Sequence, residues 1–115
     1  MTHNEIMEML EETSLPIAYD HFAEGESPDP PFICFLFPGS DNFSADGRVY
    51  LKVRRVNVEL YADEKAPPLE RKLETVLDRH GLFYEKSETW IEEEKLYEVL
   101  YTFETEEEND AEEKE

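Results

Sequence analysis

The segment Arg48–Tyr61 carries two successive alternations of apolar and polar residues. Its apolar members form two series, which are Val49, Leu51 and Val53, then Val56, Val58 and Leu60. Because successive side chains of a strand point to opposite faces, we predict one long strand whose apolar face changes side at Arg54–Arg55. A β-bulge at this point would produce the change. Alternatively, the strand extends beyond the edge of the domain, and its two halves pack against different neighbours.

The segment after this strand has the spacing of an amphipathic helix. Pro67 and Pro68 suit a first helical turn, in which a missing N–H is no loss. Apolar positions and one histidine then recur at helical spacing, at Leu69, Leu73, Val76, Leu77 and His80. Gly81 follows directly and is a typical helix C-cap. We predict a helix over Pro67–His80, and we expect His80 to cap its end, where a cation is favoured, rather than to catalyse.

Three further elements are predicted before the long strand. Thr2 and Glu5 fit a capping box, which predicts a short helix over about Asn4–Thr13 with a narrow apolar face at the edge of the core. Leu15–Tyr19 contains a proline and is expected at an edge of the sheet. Pro31–Phe37 is apolar on both faces, which is typical of a central strand covered on both sides. In so short a chain, the second cover must be a helix, a loop or another subunit.

The remaining segments complete a small mixed fold. Pro38–Gly47 has the composition of turns throughout and predicts a loop, in which Phe43 either packs back onto the domain or contacts a partner. Leu82–Ile91 and Lys95–Glu104 are rich in aromatic and β-branched residues and predict a hairpin. The predicted fold class is α+β. It has an antiparallel or mixed β-sheet of about four to five strands, one main helix packed on one face and a short N-terminal helix.

The charge of the chain limits its partners. Its 115 residues suit a single domain over 1–104, and they include 11 basic and 30 acidic side chains, a net charge of −19. This charge argues against direct binding to nucleic acid and to anionic membranes, and no apolar run approaches the roughly 20 residues of a membrane span. We expect 105–115 to form a disordered acidic tail. The tail either keeps the protein soluble or imitates nucleic acid.

No residue pattern typical of catalysis or of metal binding is present in the sequence. The three histidines lack the spacing of metal ligands. Asp41 and Asp46 flank Phe43, but the rest of a calcium-binding loop is missing. Cys34, the only cysteine, lies in an apolar strand and is predicted to be a buried, inert thiol. We therefore expect no enzymatic activity, no metal site and no cofactor.

Two arginines and a tryptophan are the best candidates for contacts. Arg54 and Arg55 either pair with neighbouring glutamates of their own sheet or form ion pairs between subunits, for which a planar guanidinium is well suited. Trp90 either packs within its hairpin, among three tyrosines, or contacts a partner. The complete candidate interface consists of Asp41, Phe43, Asp46, Arg48, Arg54, Arg55 and Trp90.

Three runs of sequence together resemble a known family. They are LPIAYDHFAEGESPDPPFICFLFPGSDNFSADGRVY, VNVELYADEKAPPLERKLETVL and FYEKSETWIEEEKLYEVLYTFE, and they span roughly Leu15–Glu104. In order and texture they resemble the tail terminators (tail-completion or head–tail joining proteins) of siphophages and prophages of Gram-positive bacteria. The resemblance includes the Pro-Pro-Phe strand, the Asp-Gly loop, the V-x-L-Y-x-D-x-K turn and the I-E-E-E-K-x-Y hairpin.

This resemblance implies a structural assembly protein without catalytic residues. It implies a hexameric ring that caps the tail tube, with the tail tube protein and the head connector protein as partners. It implies a location in the virion, and in the host cytoplasm during assembly. An alternative of a different class is an acidic inhibitor, or nucleic-acid mimic, that binds a basic protein partner.

Overall fold

The computed structural model describes residues 1–45 and 48–106, with only the backbone of 43–45 and 48–51. The described elements follow in the order α1 (His3–Glu11), β1 (Ile17–Tyr19), β2 (Phe32–Ser40), β3 (Phe43–Ala45), β4 (Arg48–Leu51), β5 (Val53–Ala62), α2 (Pro67–Arg79), β6 (Tyr84–Ile91) and β7 (Leu96–Glu106).

Five of these strands form one mixed sheet in the order β1-β2-β5-β7-β6. β1 is parallel to β2, and all the other neighbours are antiparallel. Helix α2 carries the chain from β5 to the far edge at β6, and β7 returns between them. The predicted α+β fold, with its main helix and its short N-terminal helix, is confirmed. Within the described residues, no helix is long and apolar enough to cross a membrane.

Helix α1 begins with the predicted capping box. The Glu5 N–H donates to Thr2 Oγ1 at 3.1 Å, and the Thr2 N–H donates to Glu5 Oε1 at 2.8 Å. The expected position at the edge of the core is wrong, because Ile6, Met9 and Leu10 are all buried within it. Three apolar residues are enough to anchor this short helix in the core, because it packs against both α2 and β1.

The segment predicted as a loop, Pro38–Gly47, is largely extended. β2 continues through its proline to Ser40, and β3 pairs with β4 as a two-stranded hairpin. The prediction was wrong because residues typical of turns also occur at the ends of short strands and in the tight connections between them. Asp46 and Gly47 lie outside the described residues.

The long strand predicted over Arg48–Tyr61 is interrupted between β4 and β5. β5 pairs with β7 in unbroken register through Arg54–Arg55. The extra residue lies instead on the other partner strand, β2, between Leu36 and Gly39. The predicted bulge is therefore on the wrong strand, although the buried side chains of β5 do change face at the two arginines.

The predicted end of the main helix is confirmed. Gly81 has a φ of +70°, and the Leu82 N–H donates to the Leu77 carbonyl at 3.2 Å, as in a Schellman motif. His80 is the C-cap residue, and its Nε2 lies 2.8 Å from Glu12 Oε2. This contact ties the end of α2 to the end of α1.

At the C-terminus, β7 runs through Thr105 to Glu106, two residues beyond the predicted end of the domain. Thr105 pairs with Arg54, and its Oγ1 accepts a hydrogen bond of 2.7 Å from the amino group of Met1. The rest of the predicted acidic tail, 107–115, lies outside the described residues.

The two faces of the sheet differ in their cover. The face toward both helices carries the core residues of the sheet, which are Ile33, Phe35, Val56, Val58, Leu60, Val99, Tyr101 and Phe103. In the described part of the chain no helix lies over the opposite face, which we call the helix-free face. Strand alternation and register place on it Phe32, Cys34, Leu36, Arg55, Asn57, Glu59, Tyr61, Glu85, Glu98, Leu100, Thr102 and Glu104.

A charged network fastens α2 to the edge strand β6. Glu70 is buried, with Lys86 Nζ at 2.7 Å from its Oε1 and Lys65 Nζ at 3.3 Å from its Oε2. Lys86 also contacts Glu74 at 2.7 Å, and the Tyr101 hydroxyl donates to the same carboxylate. Burial alone would raise the pKa of Glu70, but the hydrogen bonds from Lys86 and Lys65 outweigh it and lower the pKa. The fold therefore holds Glu70 in its charged form.

The substitution Glu70→Gln should lower the free energy of unfolding by about 1–3 kcal/mol at pH 7, because charge-assisted hydrogen bonds to two lysines are weakened. The folded pKa of Glu70 lies below the unfolded value of 4.5. Its contribution is therefore present above that value and is lost as the pH falls through the folded pKa. Urea unfolding of both proteins at neutral and acidic pH measures the effect. Glu24→Gln, in an exposed loop, should change nothing, and equal losses in the two variants would contradict the network.

Candidate functional site

The helix-free face is covered at one end by a loop. Phe22, in the connection between β1 and β2, packs edge-on against Phe32 with ring centroids 5.4 Å apart, and Phe32 stacks on Tyr61 at 5.2 Å. Cys34 beside them is buried, and burial, followed by nearby carboxylates, raises its pKa to about 11. The prediction of a buried cysteine is confirmed, and the high pKa keeps the thiol in its unreactive protonated form.

Two glutamates and a tyrosine meet on this face beside the loop-covered end, where Tyr61 stacks on Phe32, and we call them the acid–tyrosine cluster. The hydroxyl oxygen of Tyr61 lies 3.1 Å from Glu59 Oε1 and 2.9 Å from Glu98 Oε2. A hydroxyl donates only one hydrogen, so the two carboxylates compete for it. Partial burial, and then the charge of Glu98, raises the pKa of Glu59. A cationic group of a partner placed here would relieve the repulsion between the carboxylates.

A second charged group lies at one end of the same face, and we call it the corner cluster. Arg55 Nε lies 3.4 Å from Asp41 Oδ2, and Arg55 is directly opposite Glu104 on β7. The pKa of Glu104 is raised, first by a hydrogen bond shared with Asp41, while the charge of Arg55 acts in the opposite direction. Gly39 leaves room for this arrangement, since a Cβ there would lie 2.8 Å from the guanidinium of Arg55.

The two arginines of β5 serve opposite faces. Arg55 belongs to the helix-free face, whereas the guanidinium carbon of Arg54 lies 4.1 Å from the ring centroid of Phe37, a cation–π contact. The contacts of Arg55 agree with pairing inside its own sheet, the first of the two interpretations of the sequence. Ion pairs between subunits stay a prediction.

Phe43 and Arg48 lie in the hairpin of β3 and β4, for which the structure describes the backbone. The base of the hairpin is fixed to β5 by a hydrogen bond of 3.0 Å from the Val53 N–H to Asn42 Oδ1. Asp46 and the side chains of Phe43 and Arg48 lie outside the described residues, so their predicted contacts stay predictions.

Trp90 is remote from the corner cluster. It lies on β6, on the side of the helices, with its ring centroid 4.7 Å from that of Tyr97 and with its Nε1 donating to Glu92 Oε2 at 2.6 Å. Tyr97 and Glu104 are seven residues apart on β7, which is about 23 Å. Trp90 packs within its hairpin, yet 42% of its surface is exposed. The predicted site residues therefore do not form one site.

The described side chains suit a protein contact better than the enclosure of a small ligand. Within the described residues, no group of three or more His, Cys, Asp or Glu side chains could hold a metal ion. An open groove of about 620 Å³ runs past the corner cluster between Arg55 and Phe83. Small-molecule sites are mostly enclosed and apolar, whereas this groove is open and lined by charged and aromatic residues.

The acid–tyrosine cluster was not predicted from the sequence. Glu59 and Tyr61 are two residues apart in a strand and therefore share a face, which was the available signal. The position of Glu98 beside them depends on the register of β7, which no local pattern gives. No protein family model and no curated protein matches the chain.

The substitution Glu59→Gln should stabilise the isolated protein at pH 7 by a few tenths to about 1 kcal/mol, because it removes one of two neighbouring like charges. The folded pKa of Glu59 is raised above its unfolded value. The wild type therefore gains stability as the pH falls through the folded pKa, and its difference from the variant disappears there. Urea midpoints measured across this pH range test the expectation. Glu93→Gln, in an exposed turn, is the control, and a destabilised Glu59→Gln protein would contradict the account.

Proposed function

We propose that this protein is a structural subunit of a phage tail, which caps the tail tube and joins the tail to the head. The observation that carries the proposal is the one-sided sheet, whose helices cover one face and leave the other, which is polar beyond its loop-covered end, without a helix. The resemblance of Leu15–Glu104 to siphophage tail terminators supports a phage tail as the assembly to which the protein belongs. In this function the protein acts through its surfaces and catalyses no reaction.

The helix-free face has the mixed character of a protein interface. Tyr61, Leu36 and Leu100 are half-buried on it, and they lie among the acidic residues of the two clusters. Protein interfaces combine such apolar positions with polar neighbours at their rim. Because the chain carries a net charge of −19, a tube or connector surface that docks here needs basic groups.

The corner cluster and the neighbouring hairpin are the best candidates for contacts between the subunits of a ring. Arg55 is exposed beside two carboxylates, and the hairpin with Phe43 and Arg48 belongs to a sheet of its own. Arg55 could exchange its acidic partner within the subunit for one on a neighbour at little expense, since exposed ion pairs contribute only about 0–1 kcal/mol. We propose that these contacts build the hexameric ring in the host cytoplasm and persist in the virion.

A second candidate function is inhibition of a basic, nucleic-acid-binding protein. The observation that favours it is the acidic character of the helix-free face, on which Arg55 is the single basic residue among those named above. Carboxylates spaced along a sheet can present charges to a groove that normally holds phosphates. The two functions differ in their dependence on the acidic C-terminal residues.

The substitution Arg55→Glu should weaken capping of tail tubes by at least about tenfold, because it places an acid among the carboxylates of the corner cluster. The length distribution of tubes assembled from the tail tube protein, measured by electron microscopy at increasing concentrations of this protein, reports the effect. Lys72→Glu makes the same change in charge on an exposed position of α2 and should leave capping intact. Tubes that reach the same length with and without the wild-type protein would exclude the capping function.

Deletion of 107–115 separates the two candidate functions, and it leaves β7 complete because that strand ends at Glu106. A nucleic-acid mimic should lose affinity for its basic partner and should lose it steeply with added salt. A tail subunit should cap tubes as well as the full chain does. Loss of capping together with an intact fold, seen by circular dichroism, would contradict the structural function as proposed.

A further inference from the structure

Strand β6 is an open edge of the sheet. It covers Tyr84–Ile91 and pairs on one side with β7, and in the described structure no strand lies on its other side. Six of its eight residues, from Glu85 to Trp90, are exposed. In an antiparallel ladder every second residue directs its N–H and C=O away from the paired neighbour. The outer side of β6 therefore presents a row of backbone groups that another strand can bind.

We propose that β6 pairs antiparallel with β6 of a second copy of this chain, about a two-fold axis at Ser87, so that two sheets become one. The proposal rests on the residues of this strand and not on the function proposed above. It adds an interface that closes a dimer, whereas a ring needs contacts between unlike surfaces.

The charges of the strand select the register. A two-fold axis through an antiparallel pair places one residue opposite its own copy. An axis at Lys86 would oppose two ammonium groups, and an axis at Glu88 would oppose two carboxylates, which is unfavourable in either case. Ser87 lies between them and is uncharged. An axis at Ser87 therefore avoids the repulsion that either neighbouring axis would create.

The same register makes the neighbouring pairs complementary. Because the axis is at Ser87, residues that are equally far from Ser87 on either side lie opposite each other. Lys86 therefore faces Glu88 of the second copy, and Tyr84 faces Trp90 of the second copy. Glu85 faces a threonine. Each of these pairs occurs twice because of the two-fold axis. Opposite charges and aromatic residues are favourable when they face each other across a ladder.

Exposed apolar residues lie at both ends of this ladder. Among the described residues, the exposed large hydrophobic side chains are Tyr19, Phe83 and Trp90. Phe83 directly precedes β6, and 87% of its surface is exposed. In the proposed register Phe83 faces Ile91 of the second copy, on the face of the sheet opposite to the pair of Tyr84 and Trp90. The dimer would therefore cover two of the three exposed large side chains.

The strand is already held in the geometry that pairing needs. Lys86 is fixed to α2 through Glu70 and Glu74, and Glu88 is bound by Lys65. These contacts lie on the side of the helices and leave the backbone edge open. Little conformational freedom is then lost when a second strand binds.

The net charge sets the salt dependence of the dimer. Two copies, each at −19, repel each other, and added salt screens this long-range repulsion more than it weakens close pairs. We expect the dimer to tighten about fivefold from about 0.05 M to about 0.5 M NaCl. Sedimentation equilibrium of the full chain measures this. A protein that stays monomeric at millimolar concentration and high salt would overturn the proposal.

Cysteine cross-linking tests the register. In the variant Ser87→Cys, the two Cα atoms at the axis would lie about 4.5–5.5 Å apart, within the range of a disulfide. Mild oxidation should convert most of the protein to a covalent dimer. In the matched variant Thr89→Cys, the two cysteines would be four residues apart along the ladder, about 13 Å, and should not join. The wild type controls for Cys34, which is buried. Equal cross-linking of the two variants, or none in either, would overturn the register.

A charge pair on the same two positions provides a second test that needs no oxidation. Ser87→Lys opposes two ammonium groups at the axis, whereas Thr89→Lys faces Glu85 of the second copy twice. Both variants change the net charge by the same amount, and both positions are exposed on one face of β6. Thr89→Lys should dimerise on the order of tenfold more tightly than Ser87→Lys. Equal dissociation constants, or the reverse order, would contradict the proposed interface.

Discussion

The pairing of β5 with β2 on one side and with β7 on the other is the constraint on which the rest of the structure depends. Ten residues of β5 are in register with β7 without a break, so every residue of β5 has a fixed face. Val56, Val58 and Leu60 face the helices and meet the core residues of both neighbours. The residues that alternate with them, which include Glu59 and Tyr61, then necessarily lie on the helix-free face. The core and the candidate interaction surface are thus two consequences of one alternation.

The two faces are stabilised by different means. On the side of the helices, apolar burial is combined with the network of Glu70, Lys65 and Lys86, which holds the far edge of the sheet against α2. On the helix-free face, the acid–tyrosine cluster keeps two carboxylates close together with one hydroxyl between them. Repulsion of this kind does not help the isolated chain to fold. A basic partner of the kind proposed above would relieve it.

Much of the fold follows from local patterns in the sequence. The capping box of α1, the apolar spacing of α2 and its glycine cap each depend on residues within a few positions of one another, and the structure has all three. The bulge was placed on the wrong strand because a change of the buried face in β5 needs no extra residue in β5, which alternates without a break while the cover of the sheet changes along it. The hairpin of β3 and β4 was missed for a related reason, since turn residues do not specify how long the strands between them are.

The candidate site was less predictable than the fold because it depends on register between distant segments. Asp41 and Arg55 were singled out separately, and the structure joins them in one ion pair. Trp90 was singled out with them but lies on β6, opposite Tyr97, far from the end of β7 that faces Arg55. The partnership of Glu59 with Glu98 depends on which residues of β5 and β7 lie opposite each other. No pattern within either strand contains that information.

Residue-resolved amide hydrogen exchange tests the central claim, that the core side of the sheet is complete in one chain while its other surfaces await partners. The measurement compares the dilute, monomeric protein with the concentrated protein at high salt, in which the proposed dimer through β6 forms. The amides of β5 should be protected to the same degree in both states. The outward-facing amides of β6 should exchange quickly when the protein is dilute and become protected on assembly. Unchanged exchange along β6, with new protection on the exposed side of α2 instead, would contradict the account.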